Sequence, residues 1–140
     1  MDHDILVSGG GIAGLTATAA FAQAGFDVLC VDPAKPITAR DAQGADLRST
    51  AFLQPARALL EEVGLWARLS PHAQPLQIMR IIDAGGPDSE ARMSKEFDAS
   101  DISDQPFGWN LPNWLLRREM SAHLETLPNV TYKTGVGAQT

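Results

Sequence analysis

A group of three glycines near the N-terminus constrains the fold of this chain more than any other feature. Gly9, Gly11 and Gly14 are spaced as G-x-G-x-x-G, between an apolar run at residues 5–7 and an alanine-rich segment at residues 12–24. Branched apolar residues that end at glycines are typical of a buried strand, and an alanine-rich segment without proline is typical of a helix. The pattern therefore predicts a strand, a tight turn and a helix, in that order.

The residues after this helix predict a second strand. Gly25 lies where a glycine commonly ends a helix. Residues 28–31 form another apolar run, which ends at Asp32 and Pro33. Two buried strands joined by a helix are typical of a parallel sheet. The first part of the chain is therefore predicted to be a Rossmann-like βαβ unit of the α/β class.

The remainder of the chain mixes short strands with two helices. After a loop at residues 34–48, apolar spacings of three and four predict a helix over 51–63 and a second one that Asn113 caps. Strands are predicted at 76–83, 91–97, 107–111 and 129–134, with a turn at 85–88. We expect 1–75 and 112–140 to form a partial nucleotide-binding domain, and 76–111 to begin a second, substrate-side sheet. Neither sheet is expected to be complete within these residues.

The glycine loop has the features of a dinucleotide-binding site. Gly9 permits the tight turn, Gly11 lets the backbone approach a diphosphate, and Gly14 lets the helix pack closely on the strand. The amides at the helix N-terminus carry partial positive charge. Asp32, at the end of the second strand, can accept hydrogen bonds from both hydroxyls of an adenosine ribose and would repel a 2′-phosphate. These residues predict a dinucleotide site but do not distinguish FAD from NAD.

Composition argues against several other kinds of protein. Lys and Arg number 11 against 17 Asp and Glu, so the net charge of -6 offers no excess of cations for a nucleic acid. No apolar run approaches the roughly 20 residues that span a bilayer. Cys30 is the only cysteine, which fits a reducing, cytoplasmic location. The histidines lack the spacing of metal ligands, so we expect no metal site.

Several downstream segments resemble one enzyme family. They are Asp46-Leu47-Arg48-Ser49-Thr50-Ala51, Gly64-Leu65-Trp66, Gly108-Trp109-Asn110, and Asn113 with Leu116-Arg117. In these segments the chain resembles the FAD-dependent aromatic-ring hydroxylases of ubiquinone biosynthesis, of the 2-polyprenyl-6-methoxyphenol hydroxylase type within the p-hydroxybenzoate hydroxylase-like class. The resemblance covers essentially the whole chain but only the N-terminal portion of a family member.

The resemblance implies a cofactor, a reaction and a set of binding residues. The cofactor would be FAD, with NAD(P)H as a transient reductant, and the reaction would be hydroxylation by O2 of a small phenolic ring such as a ubiquinone precursor. A lipophilic substrate of that kind would bring the protein to the inner face of the membrane. The FAD-binding residues would be Gly9, Gly11, Ala13 and Gly14 at the diphosphate, Asp32 at the ribose, and Arg48 and Arg117.

Two other functions remain open from the residues alone. Two later flavin motifs of the family, an Asp-Gly and a Gly-Asp segment, are missing from this sequence, so we do not expect these residues to catalyse unaided. No acid–base pair stands out, and no catalytic residue is assigned. The chain could instead be a non-catalytic dinucleotide-binding fragment or interaction module. An NAD-dependent dehydrogenase domain is a weaker alternative, because Arg48 and the middle strands depart from a plain alternation of strands and helices.

Overall fold

The computed structural model describes residues 3–85 and 91–138, which form eight strands and four α-helices. The predicted turn at 85–88 lies largely outside these residues. Two 3-10 turns occupy Ser70–His72 and Ala99–Asp101. The helices are α1 (Ile12–Gln23), α2 (Gln54–Glu62), α3 (Trp66–Leu69) and α4 (Asn113–Leu124). The strands are β1 (Ile5–Ser8), β2 (Val28–Asp32), β3 (Ser49–Leu53), β4 (Gln74–Leu76), β5 (Ile78–Asp83), β6 (Met93–Asp98), β7 (Gly108–Pro112) and β8 (Val130–Thr134).

Strands β1, β2 and β8 form a parallel sheet in which β2 lies between the other two. The first four residues of β2 are buried, as expected of a strand covered on both faces. Cys30 at its centre is opposite Val7 of β1 and Tyr132 of β8. The predicted α/β class and parallel sheet are confirmed. Strand β8, from the end of the chain, joins the sheet whose first strand precedes the glycine loop.

The other strands are antiparallel. Strand β7 lies between β3 and β4 in a second sheet, and β5 pairs only with β6 in a hairpin within the described residues. The single strand predicted at 76–83 is wrong, because the chain divides at Gln77 into β4 and β5, which join different sheets. The carbonyl of Gln77 accepts a hydrogen bond from the Ala99 amide instead of taking part in a ladder.

The predicted helix over 51–63 is wrong in its first three residues. Residues 51–53 belong to β3, and the helix begins only at Gln54. Phe52 is buried opposite Trp109 of β7, so pairing with a distant strand decides the conformation here. Apolar spacing could not separate the two elements, whereas Pro55 marks the first turn of the helix, where proline is tolerated.

A single hydrophobic core joins the glycine-loop helix to the second half of the chain. The apolar face of α4 is buried, with Leu116, Met120 and Leu124 at most 1% exposed. Helix α4 packs beside α1, whose Leu15 and Ala19 are fully buried in the same core. This packing fixes the N-terminus of α1 relative to α4. No helix in the described part of the chain is long and apolar enough to cross a bilayer.

Candidate functional site

Three glycines of the loop at residues 9–14 suit their positions for different physical reasons. Gly9 has a φ of 114°, a conformation that residues with a Cβ rarely adopt. A Cβ on Gly14 would lie 1.8 Å from the carbonyl oxygen of Gly9, so only glycine allows α1 to approach β1 this closely. At Gly11 a Cβ would have no described atom within 4 Å. The loop is therefore tight on its inner side and open at Gly11.

The first turn of α1 presents backbone donors beside this open position. Gly11 is the N-cap, no side chain caps the helix, and no acidic residue occupies its first turn. The amides of Ile12, Ala13 and Gly14 have no carbonyl partner within the helix. Ala13 also lines an apolar cavity of about 580 Å³ that extends towards Thr50. A diphosphate at Gly11 would meet free N–H groups at the positive end of the helix dipole.

Asp32 lies beside the glycine loop, where the carboxyl ends of β1 and β2 meet. Its Oδ2 accepts a hydrogen bond from the Gly10 amide at 2.6 Å, and its Oδ1 accepts one from the Ala34 amide at 2.7 Å. These bonds to a carboxylate are charge-assisted and short. Asp32 therefore joins the glycine loop to the segment after β2, and each oxygen keeps a lone pair for a further donor such as a ribose hydroxyl.

Tyr132 is part of this site, although the sequence reasoning did not anticipate it. Its ring and hydroxyl lie against Gly10, on the strand next to the one that carries Asp32. Burial raises the pKa of its phenol, and the neighbouring Cys30 and Asp32 act in the same direction. Tyr132 is the only tyrosine of the chain. Nothing in the local sequence indicates its contact with Gly10, because the pairing of β8 with β2 creates it.

The two adjacent arginines of α4 have different surroundings. Arg117 is half-buried, and its positive charge makes a minor contribution that lowers the pKa of Tyr132, which burial raises. No carboxylate of the described residues forms an ion pair with it. Arg118 instead lies over the Trp114 ring at 5.2 Å and pairs with Glu119 at 2.9 Å. The structure therefore gives Arg118 two partners on α4, although Arg118 also lines a cavity together with Tyr132, and it shows no contact between Arg117 and the glycine loop.

Arg48 belongs to a separate group of side chains, which we call the Asp46 cluster: Asp46, Arg48, Thr50 and Asn113. The exposed Arg48 guanidinium donates two hydrogen bonds of 2.9 Å to Asp46 and none to the glycine loop. Hydrogen bonds from Arg48 and then Asn113 hold the pKa of Asp46 well below its usual range. The structure therefore does not bring Arg48 into hydrogen-bond contact with the other predicted site residues.

Asn113 connects the Asp46 cluster to α4. The predicted cap is wrong, because Pro112 is the N-cap and Asn113 is the first helical residue. Its buried side chain donates to Asp46 at 3.0 Å and accepts from the Thr50 hydroxyl at 2.7 Å. The backbone amide of Asn113 also donates to the Arg48 carbonyl at 2.8 Å. The bridge fixes the end of the loop before β3 against the helix that carries Arg117.

The arrangement fits a dinucleotide. An open glycine position, free helical amides and a carboxylate next to them are the groups that bind a diphosphate and a ribose. The Asp32 carboxylate lies at this loop, and no group of three or more His, Cys, Asp or Glu side chains in the described residues could hold a metal ion.

Comparison with known proteins gives one family match and one curated relative. Residues 2–139 match a family model described as an FAD binding domain. The ubiquinone hydroxylase UbiL of Rhodospirillum rubrum is 32% identical over 128 residues, which are 91% of this chain and 28% of that protein. The chain therefore spans less than a third of the length of this relative.

Solved structures of monooxygenases share the fold. The p-nitrophenol 4-monooxygenase PnpA from Pseudomonas putida DLL-E4 has a TM-score of 0.70 at 20% identity, over 94% of this chain and 30% of its own. PqsL from Pseudomonas aeruginosa, in complex with 2-aminobenzoylacetate, has a TM-score of 0.72 at 20% identity, over 95% of this chain and 33% of its own. At such identities the likeness is one of fold.

Proposed function

This chain belongs to the FAD binding domain family, and from that membership we propose that it is the FAD-binding part of a monooxygenase that hydroxylates a phenolic ring. Its cofactor is FAD, and the predicted resemblance to the FAD-dependent hydroxylases of ubiquinone biosynthesis is confirmed by the family match and by UbiL. The reductant in this proposal is NAD(P)H and the oxidant is O2. The observation that carries the proposal is the open glycine loop with Asp32 bonded to it.

The role of these residues in the proposed enzyme is to bind and orient the cofactor. The free amides of α1 would hold the FAD diphosphate at Gly11, Asp32 would accept the ribose hydroxyls, and the unpaired charge of Arg117 would offset the diphosphate charge. Bound FAD would supply the redox chemistry of this proposal, the oxidation of NAD(P)H and the use of O2. No residue of this chain is assigned an acid–base role.

The substrate in this proposal is a small phenol of the ubiquinone-precursor type. Similarity to the ubiquinone hydroxylase UbiL supports this class. A precursor with a polyprenyl tail is lipophilic, so we propose that the protein works at the inner face of the membrane without a spanning segment of its own in the described residues. The substrate-side region would be 76–111, with 1–75 and 112–140 on the FAD side; β3, which pairs with β7, extends the substrate-side sheet into the first segment.

The proposal is tested in two steps on the full-length enzyme of which these residues would be the FAD-binding part. First, FAD titration should give saturable binding and a yellow protein with flavin absorbance. Second, NADH or NADPH oxidation should be stimulated by a polyprenylphenol, and one atom of 18O2 should enter the product. A protein that takes up no FAD would overturn the assignment as a whole. A protein that binds FAD but oxidises no reduced nicotinamide and hydroxylates no phenol would support the non-catalytic alternative.

A further inference from the structure

Position 10 is unspecified in the G-x-G-x-x-G pattern, yet in this structure a side chain there would meet Tyr132 and Asp32. Gly10 is not among the glycines with positive φ, so its backbone conformation is open to other residues. The restriction is steric. A Cβ on Gly10 would lie 2.4 Å from the Tyr132 hydroxyl oxygen, 3.2 Å from its ring carbon Cε2 and 3.1 Å from the Asp32 Cβ. Tyr132 therefore occupies the space that a side chain at position 10 would need.

Tyr132 is held both at its backbone and along its ring. Its backbone pairs with Cys30 of the buried strand β2, and its ring packs against the hydrophobic core. Its hydroxyl oxygen is buried beside the Ser121 side chain, which acts to lower the pKa of Tyr132 against the larger effect of burial.

The contact between Tyr132 and Gly10 affects the Gly10 amide, which donates a hydrogen bond to Asp32. The Gly10 amide gives the carboxylate its shortest described hydrogen bond, at 2.6 Å, and the side of Gly10 from which a Cβ would project lies against both Tyr132 and the Asp32 Cβ. Gly10 is thus in contact with both side chains. A shift of Gly10 by a few tenths of an ångström would lengthen that bond and move the amides that follow in the loop.

We propose that Tyr132 is a positioning residue for FAD binding: by packing against Gly10 it keeps the glycine loop bonded to Asp32 in the shape that receives the adenosine diphosphate part of FAD. The inference rests on the proposed function for its ligand. Because the hydroxyl is buried beneath Gly10, it acts through packing and makes no contact with FAD. The ring carries most of the effect, since Cε2 stays against Gly10 when the hydroxyl is removed.

A cycle of four variants tests the coupling. Gly10→Ala should lower FAD affinity about tenfold or more in a fluorescence titration, whereas the same change combined with Tyr132→Phe should lower it less than about threefold, because the closest contact is gone. Tyr132→Ala should lower affinity about tenfold, and Tyr132→Phe alone should retain it within about threefold. Gly11→Ala is the matched control, and its effect should be equal in both backgrounds, since a Cβ there meets nothing.

A second measurement needs no cofactor. With 15N-glycine labelling, the 12 glycines give few enough amide signals to follow Gly10 by NMR. An amide bonded to a carboxylate at 2.6 Å should resonate far downfield and exchange slowly. Both properties should persist in Tyr132→Phe and be lost in Tyr132→Ala. This result would hold even if FAD were not the ligand, so it separates the positioning role from the proposed function.

Three outcomes would overturn the inference. Equal effects of Gly10→Ala in the Tyr132 and Tyr132→Phe backgrounds would mean that the two positions are not coupled. A loss of about tenfold or more in FAD affinity for Tyr132→Phe alone would mean that the hydroxyl contacts the cofactor directly. An unchanged Gly10 amide signal in Tyr132→Ala would mean that the tyrosine does not hold the loop. If Tyr132→Ala does not fold, Tyr132→Leu removes the ring with less loss of volume and carries the same expectations.

Discussion

The glycine loop and the Asp46 cluster both place a residue implicated in FAD binding near the start of a helix, but they are built differently. In the glycine loop, backbone amides and close packing hold Asp32, and the surrounding sheet and helix leave few alternatives. In the Asp46 cluster, side chains hold one another, and Arg48 is 84% exposed. Exposed ion pairs contribute little to stability, whereas close-packed backbone contacts tolerate almost no change. The two regions should therefore respond very differently to substitution.

The largest effect is expected at Gly14. Gly14→Ala places a Cβ 1.8 Å from the Gly9 carbonyl oxygen, and backbone must move to relieve it. We expect a loss of about 3 kcal/mol or more in the free energy of unfolding, measured by urea denaturation. Gly11→Ala is the control, since it should change stability by less than about 1 kcal/mol yet weaken FAD binding. Equal stability of the two variants would contradict the close approach of α1 to β1.

A smaller effect is expected at Asp32. Asp32→Ala removes the acceptor of the Gly10 and Ala34 amides and the predicted partner of the ribose. FAD affinity should fall by about tenfold or more, since hydrogen bonds to a charged group contribute about 1.5–3 kcal/mol. Titration with riboflavin, which lacks the adenosine, should show no such loss. Unchanged affinity for FAD would refute the ribose-binding role.

The two arginines of α4 offer a matched pair. Arg117→Ala should lower FAD affinity by about threefold to tenfold, because it removes the cation that the resemblance implies at the cofactor. Arg118→Ala should leave the affinity within about twofold, since that side chain already lies on Trp114 and pairs with Glu119. The FAD affinities of both variants are measured by calorimetric titration. A larger loss for Arg118→Ala than for Arg117→Ala would mean that Arg118 is the arginine of α4 that contacts the cofactor.

The smallest effect is expected in the Asp46 cluster. If Arg48 contacts FAD as the resemblance implies, it must first give up its hydrogen bonds to Asp46. The free energy lost with those bonds offsets the free energy gained from the cofactor. Arg48→Ala should lower FAD affinity by about threefold at most and leave the urea midpoint nearly unchanged. Asp46→Asn, which weakens the hydrogen bonds from Arg48 to residue 46, should raise FAD affinity slightly. A loss for Arg48→Ala as large as that for Asp32→Ala would make the two regions equivalent.

Much of the candidate site was predictable because its signals are local. A glycine with positive φ, a strand before it and a helix after it lie within a few residues of one another, so the loop can be recognised without knowing the rest of the fold. The carboxylate at the end of the next strand follows from the same unit. The helix–strand boundary at Leu53 and the break at Gln77 were missed because partners far along the chain decide them.

Sequence alone determined the parallel βαβ unit, the dinucleotide loop and the acid beside it, because backbone conformation and short-range periodicity specify them. The tertiary structure decided which charged groups have partners: Asn113 bonds Asp46 to α4, Arg118 lies on Trp114 and pairs with Glu119, and no carboxylate of the described residues pairs with Arg117. It also decided that a side chain at position 10 would meet Tyr132. The physical reason is that β8 returns to pair with β2 and brings Tyr132 against Gly10, a contact between residues that have no relation in sequence.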